Sequence, residues 1–280
     1  MGALHMLQPL YSVTGFAVGL LVGLTGVGGG SLMTPLLILL FGLHPATAVG
    51  TDLLNAAVTK SAGSVVHGFN RSIDWRVVRR LAAGSVPMTV ITILALSRIG
   101  INSPGMRDLI TAVLTLALFI TAAALVFRET IIARYATRIG SLPARHIAVI
   151  TVVVGAVLGV MVSISSVGAG AIGATALILL YPKLPMTRIV GSDIAHAVPL
   201  TLAAGIGHGF LGSIDVDILV SLLAGSVPGI MIGSYAAFRI PETALRLVLA
   251  GTLVVVAAKL ALDLYPATPQ AISVTAVVTH

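Results

Sequence analysis

The chain has no cysteine among its 280 residues, and only 9% of the residues are charged. The first absence excludes disulfide bonds and thiolate metal sites. The second excludes an ordinary soluble globular domain, in which about 25% of residues are charged. With 57% hydrophobic residues and a mean hydropathy of +1.09, the sequence predicts an integral membrane protein.

Long polar stretches are also absent, since the longest runs only from Arg128 to Arg145. The net charge is +7, but the basic residues stand singly or in small groups between apolar segments. The positive-inside rule explains such a distribution, so we do not expect nucleic-acid binding. We expect a multi-pass protein of the cytoplasmic (inner) membrane, in contact with lipid, whose oligomeric state stays open.

The apolar sequence divides into two halves that repeat each other. His67-Gly68-Phe69 recurs as His208-Gly209-Phe210, and over 67–87 against 208–228 twelve of twenty-one positions are identical. Such self-similarity predicts two copies of one structural unit. We expect a first transmembrane repeat over 1–127, a cytoplasmic basic linker over 128–145 and a second repeat over 146–280. The ten apolar segments are 10–25, 31–43, 46–67, 77–97, 107–127, 146–164, 171–181, 187–208, 216–237 and 243–262.

An odd number of segments in each half predicts that the two repeats are inverted relative to each other in the membrane. The basic residues agree with this, because an alternating topology places twelve of them inside and three outside, with Lys60 within a segment. Such a bias fits the positive-inside rule. It also predicts that both termini lie outside. The fold class expected is therefore an all-α polytopic membrane protein built from two inverted repeats of about five segments.

Glycines interrupt both halves at matching positions. We call Leu24–Ser31 the first glycine break and Ser165–Gly170 the second. Paired interruptions of this kind are the best sequence pointer to a transporter binding site. The segments after them, 31–43 and 171–181, are too short to cross a bilayer. They predict re-entrant half-helices whose tips meet near the midplane, although full crossings stay open.

A helix that begins after each break would present unpaired N–H groups, and these favour an anion. The alternative is that the glycines only allow close helix packing. Asp52 and Asp193 are acids deep in apolar segments, where ionisable groups are functional candidates by default. Each would bind a coupling proton or Na⁺, or would instead cap a broken helix.

Three more polar residues follow the aspartates. Asn55 and His196 are equivalent in the two repeats, and His196 would bind an anion, move a proton or simply hydrogen-bond in the bundle. Lys60 aligns with Thr201 and would neutralise Asp52, pair with an anion or extend to the interface. The predicted substrate contacts are Gly28, Gly29, Gly30, Ser31, Asn55, Lys60, Ser166, Gly168, Gly170 and His196. Asp52 and Asp193 are assigned to coupling or structure, and we expect no metal site and no cofactor.

At these residues the chain resembles the TauE/SafE family of sulfite-exporter-like permeases. The resemblance rests on Gly26-Val-Gly-Gly-Gly-Ser31, Pro35, Gly50-Thr51-Asp52 and His67-Gly68, with degenerate copies in the second half. It implies a polytopic inner-membrane transporter associated with sulfite, sulfonates, sulfoacetate-like metabolites or thiosulfate. The second break departs from the pattern, since it reads Val-Gly-Ala-Gly instead of a triple glycine.

The leading hypothesis is an ion-coupled secondary transporter for a small sulfur-containing anion. An anion channel, a transporter of a non-sulfur organic anion and a membrane-embedded enzyme or structural subunit are the alternatives. We do not expect an enzyme, because the glycine-rich break lacks the Lys-Ser/Thr pair of a phosphate loop. Ser165 and Ser166 likewise lack a nucleophile elbow.

Overall fold

The structure is a computed structural model that describes residues 8–25, 30–69, 72–101, 103–140, 142–236 and 242–264. Within these residues the regular structure is entirely α-helical, and six helices are long and apolar enough to cross a bilayer. The all-α polytopic fold predicted from composition is therefore confirmed. In chain order the helices are α1 Pro9–Thr25, α2 Gly30–Phe41, α3 Pro45–Phe69, α4 Trp75–Ile99, α5 Pro104–Val126, α6 Arg128–Gly140, α7 Ala144–Ser165, α8 Ala171–Leu180, α9 Met186–Phe210, α10 Val216–Ala236 and α11 Glu242–Leu264.

The short helices α2 and α8 return toward the end from which the preceding helix came. In the first half the rings of Tyr11 and Phe41 stack with their centroids 4.2 Å apart. In the second half the hydroxyl groups of Thr151 and Tyr181 hydrogen-bond at 2.8 Å. Each pair joins an early turn of the long helix to the end of the short one. Both pairs of helices are therefore hairpins, and α2 and α8, with 12 and 10 residues, are by themselves too short to cross a bilayer as helices.

Each half packs its helices against the other half. Helix α4 packs most extensively against α7, and α10 packs against α1. Glycines bring these backbones together: a Cβ on Gly84 would clash with the Val152 carbonyl, and one on Gly225 with the Ser12 carbonyl. Small residues allow such close packing between membrane helices. Gly84 and Gly225 are equivalent in the sequence repeat, so the same contact occurs twice with the halves exchanged.

Helices α3 and α9, which are equivalent in the two repeats, pack against each other at the centre. A Cβ on Gly63 would lie 3.6 Å from Ile194, whereas one on Gly205 would lie 2.5 Å from Leu54. Later residues of α3 thus lie beside earlier residues of α9, so the two helices run antiparallel. Helices α5 and α11 form a second pair of equivalents.

The predicted linker contains a helix of its own. Helix α6 occupies most of 128–145 and begins with Arg128 and Glu129. Glu129 accepts a hydrogen bond from Arg246 on α11, and this bond and its charge lower the pKa of Glu129. The pair attaches the linker to the last helix of the second half.

We predict that Gly84→Ala lowers the unfolding temperature of the detergent-solubilised protein. The added methyl group would meet the backbone of Val152 and Ala156, and such overpacking costs about 1–3 kcal/mol. Gly251→Ala is the matched control, because no atom lies within 4 Å of its added Cβ and alanine favours a helix. Equal unfolding temperatures for the two variants would contradict the close packing of α4 and α7.

We predict that cysteines at Trp75 and Val216 are labelled from opposite sides of the membrane. The two positions are equivalent, each opens a helix, and each is 61% exposed. Because the chain has no native cysteine, an impermeant maleimide reports one site at a time. In right-side-out vesicles Val216→Cys should react directly, and Trp75→Cys only after permeabilisation. Reaction of both in intact vesicles would contradict inverted repeats.

Candidate functional site

The second glycine break is held open by backbone conformations that suit glycine. Helix α7 ends at Ser165 and is capped by Ser166, whose backbone is left-handed with φ 59°, and Gly168 and Gly170 follow with φ 121° and 137°. Residues other than glycine rarely adopt these backbone angles, which explains why glycine stands at positions 168 and 170. Helix α8 then begins at Ala171 with its first amides directed toward the break.

Two side chains of α3 reach this break from the other half of the chain. Lys60 Nζ donates to the Ala169 carbonyl at 3.3 Å, and Ser166 Oγ donates to Asp52 Oδ2 at 2.9 Å. Asp52 is fully buried and Lys60 is 7% exposed. The structure thus joins three of the predicted site residues, and it places a cation beside the N-terminus of α8.

Asp52 has a second partner that the sequence analysis missed. Thr34 Oγ1 on α2 donates to the same Oδ2 atom at 2.6 Å. The other oxygen, Oδ1, is buried and makes no hydrogen bond within the described part of the chain. Thr34 corresponds to Ala174 in the second half, so comparison of the repeats gave no signal for it.

Asp193 lies on α9 and packs against the short helix of its own half. A Cβ on Gly173 would clash with Asp193 Oδ1, so this glycine admits the carboxylate to the surface of α8. Oδ1 of Asp193 makes no hydrogen bond among the described residues. Lys60 lies within electrostatic range of both Asp193 and Asp52. We call Asp52, Lys60 and Asp193 the charged centre.

Asn55 and His196 point to repeated serines rather than to the second break. Ser226 Oγ on α10 donates to Asn55 Oδ1 at 2.8 Å, and Ser85 Oγ on α4 hydrogen-bonds His196 Nε2 at 2.9 Å. Because Ser85 and Ser226 are equivalent, the two bonds form one contact repeated with the halves exchanged. The recurrence of Gly-Ser-Val-Pro was visible in the sequence, but the sequence analysis gave these serines no role.

A small cavity lies beside Asp52, between α1, α2, α3 and α10. Its volume is about 20 Å³, and its polar lining consists of Asp52, Asn55, Thr59 and Ser226. Val18, Met33 and Ile230 contribute to the apolar remainder. A cavity of this size holds one water-sized occupant. The cavity adjoins the charged centre but is too small for a polyatomic anion.

Four of the eight residues of the first glycine break, 26–29, lie outside the described residues, and Gly28 and Gly29 are among these four. Gly30 opens α2, and the side chain of Ser31 is not described. Leu32 and Met33 share one buried cluster with Val167 and Ala171 of the second break and α8. The start of α2 therefore lies in the same part of the core as the second break.

The comparisons with known proteins agree with this architecture. Residues 11–260 match the family described as Sulfite exporter TauE/SafE. The chain belongs to this family. It is 36% identical over 247 residues to the Bacillus subtilis (strain 168) "Probable membrane transporter protein YjnA", covering 88% of this chain and 96% of that protein. It is also 25% identical over 236 residues to "Probable membrane transporter protein YdhB" of the same organism, and this match covers 82% of this chain and 91% of that protein. No solved structure matches the chain.

As a TauE/SafE member with six membrane-length helices among its described residues, the protein is a multi-pass membrane transporter.

The hydrogen bonds of Ser85 with His196 and of Ser226 with Asn55 join the two halves and should contribute measurably to the stability of the fold. Ser85→Ala leaves Nε2 of the fully buried His196 unpaired, and an orphaned buried group costs about 1–3 kcal/mol. We predict a lower unfolding temperature for Ser85→Ala than for Ser97→Ala, whose hydroxyl is exposed. In a His196→Ala background the effect of Ser85→Ala should shrink, and equal losses in both backgrounds would contradict a direct bond.

Proposed function

We propose that the protein is a secondary transporter that moves a small sulfur-containing anion across the cytoplasmic membrane. Sulfite, a sulfonate or a sulfoacetate-like metabolite is the substrate class. The observation that carries the proposal is the position of Lys60, whose ammonium group touches the Ala169 carbonyl at the start of α8. The sulfur chemistry rests on the family description, since the relatives are named only as membrane transporters.

An anion at the second break would meet two kinds of positive charge. The N-terminus of α8 supplies unpaired amides and the positive end of a helix dipole. Lys60 supplies a full charge, and among the described residues no carboxylate lies within the 4 Å of a direct ion pair with it. The glycines at 168 and 170 let the backbone approach a ligand closely. Discontinuous helices with this geometry bind anionic groups in other transporters.

Alternating access would follow from the exchanged contacts between the halves. The equivalent helices α3 and α9 run antiparallel. The rotation axis that relates the two halves is therefore perpendicular to the helix axes. We place this axis in the membrane plane, which gives inverted repeats with both termini outside. The distribution of basic residues supports that orientation. One half would rock against the other around the charged centre.

We predict that Lys60→Gln weakens binding of sulfite and sulfoacetate at least about tenfold, because a partly buried charge contact exceeds the 1.4 kcal/mol that tenfold represents. Calorimetric titration of the purified protein and counterflow in proteoliposomes measure the effect. Lys259→Gln is the control, since that lysine is exposed on α11. Unchanged affinity in Lys60→Gln would refute its role, and wild-type anion flux without counterflow would show a channel instead.

A further inference from the structure

The cavity beside Asp52 has the chemistry of a cation site. All four of its polar lining residues carry a side-chain oxygen: a carboxylate, an amide carbonyl and two hydroxyl groups. Oxygen ligands are those that hard cations prefer. Asp52 Oδ1 lacks a hydrogen-bond donor in the described chain, although its residue is fully buried. Thr34 and Ser166 both serve Oδ2 and leave Oδ1 for another partner.

The charges of the core are unbalanced. The buried carboxylate and ammonium side chains among the described residues are Asp52, Asp193 and Lys60. With both acids ionised, the charged centre carries one net negative charge. Uncompensated charge in a membrane interior is expensive, and one monovalent cation would remove the imbalance. An anion that entered the centre without this cation would meet net repulsion.

We infer that the cavity lined by Asp52, Asn55, Thr59 and Ser226 binds a small monovalent cation, Na⁺, which couples the transport proposed above. Asp52 Oδ1 is the charged ligand, and Asn55 Oδ1 and Ser226 Oγ are neutral ones. The Ser226-to-Asn55 hydrogen bond holds these two oxygens together and leaves each a free lone pair. Val22 belongs to the last turn of α1, whose negative dipole end also favours a cation.

The site is specific to the first half. Its equivalents in the second half are Asp193, His196, Leu200 for Thr59, and Ser85. His196 replaces an amide oxygen with a ring nitrogen that already bonds Ser85. Leu200 replaces a hydroxyl with an alkyl group, and it is fully buried. Asp193 therefore acts as a counter-charge to Lys60 and not as a cation ligand.

Na⁺ binding is measured without any sulfur-containing anion, so it is tested separately from the proposed function. The purified protein is titrated with NaCl that replaces choline chloride at constant ionic strength, and the unfolding temperature and bound ²²Na⁺ are recorded. The wild type should gain stability with Na⁺, as a ligand of the native state does. Asp52→Asn should bind Na⁺ at least about tenfold more weakly. Asp263→Asn should keep the Na⁺ response although it loses the same chemical group, because that carboxylate is exposed on α11 and does not line the cavity.

Ser226→Ala provides a second variant in case Asp52→Asn does not fold. It removes one neutral ligand without changing the charge, and we expect Na⁺ binding to weaken several-fold. The inference is overturned if the wild type shows no Na⁺-specific stabilisation or if Asp52→Asn or Ser226→Ala binds Na⁺ as the wild type does. It is also overturned if sulfite counterflow proceeds at full rate in choline buffer. Na⁺ binding by a protein that exchanges no sulfur anion would instead refute the proposed substrate and leave the cation site standing.

Discussion

Hydrocarbon cannot hydrogen-bond an unwound backbone or solvate an ionised side chain, and this constraint governs the arrangement of the core. The second break would expose the Ala169 carbonyl, and Lys60 from the other half covers it. Asp52 would be an orphaned acid, and Ser166 from the break donates to it. Both of these groups gain a partner across the boundary between the halves. Neither half supplies both partners of these contacts alone, and the packing of α1 with α10 and of α4 with α7 also joins the halves.

The sequence predicted well the features that follow from its repeat and from the lengths of its apolar segments. Local composition is enough to predict the repeat offset, the membrane-length helices and the short segments after the breaks. Segment 171–181 was expected and α8 spans Ala171–Leu180, since apolar length alone fixes such a helix. The partners of the polar side chains were not predictable in this way. The bond between Ser226 and Asn55 joins residues 171 apart, and only the tertiary packing of α10 on α3 brings them together.

The exchanged contacts and the polar centre follow different rules. Positions that set backbone approach are preserved in both halves: Gly84 and Gly225 serve the same contact, as do Gly50 and Gly191 against Ser213 and Ser72. Among the polar positions, the aspartates recur as Asp52 and Asp193, but their neighbours differ. Lys60 is opposite Thr201, and Thr34 is opposite Ala174. A duplicated scaffold with one aspartate in each half and a single lysine gives an asymmetric charged centre, so repeat symmetry alone could not supply the partners of these side chains.

Asp52 is the residue through which two sites would communicate. Asp52 lines the cavity where its Oδ1 is proposed to bind Na⁺, and its Oδ2 accepts from Ser166 at the break where the anion is proposed to bind. A cation on the first oxygen would draw electron density from the second and weaken its repulsion of an anion. Two unit charges 4 Å apart interact by about 4 kcal/mol at an effective dielectric constant of 20. Allosteric coupling usually needs only about 1–3 kcal/mol, and it is reciprocal. A single carboxylate shared by both sites is therefore sufficient to make each ligand raise the affinity of the other.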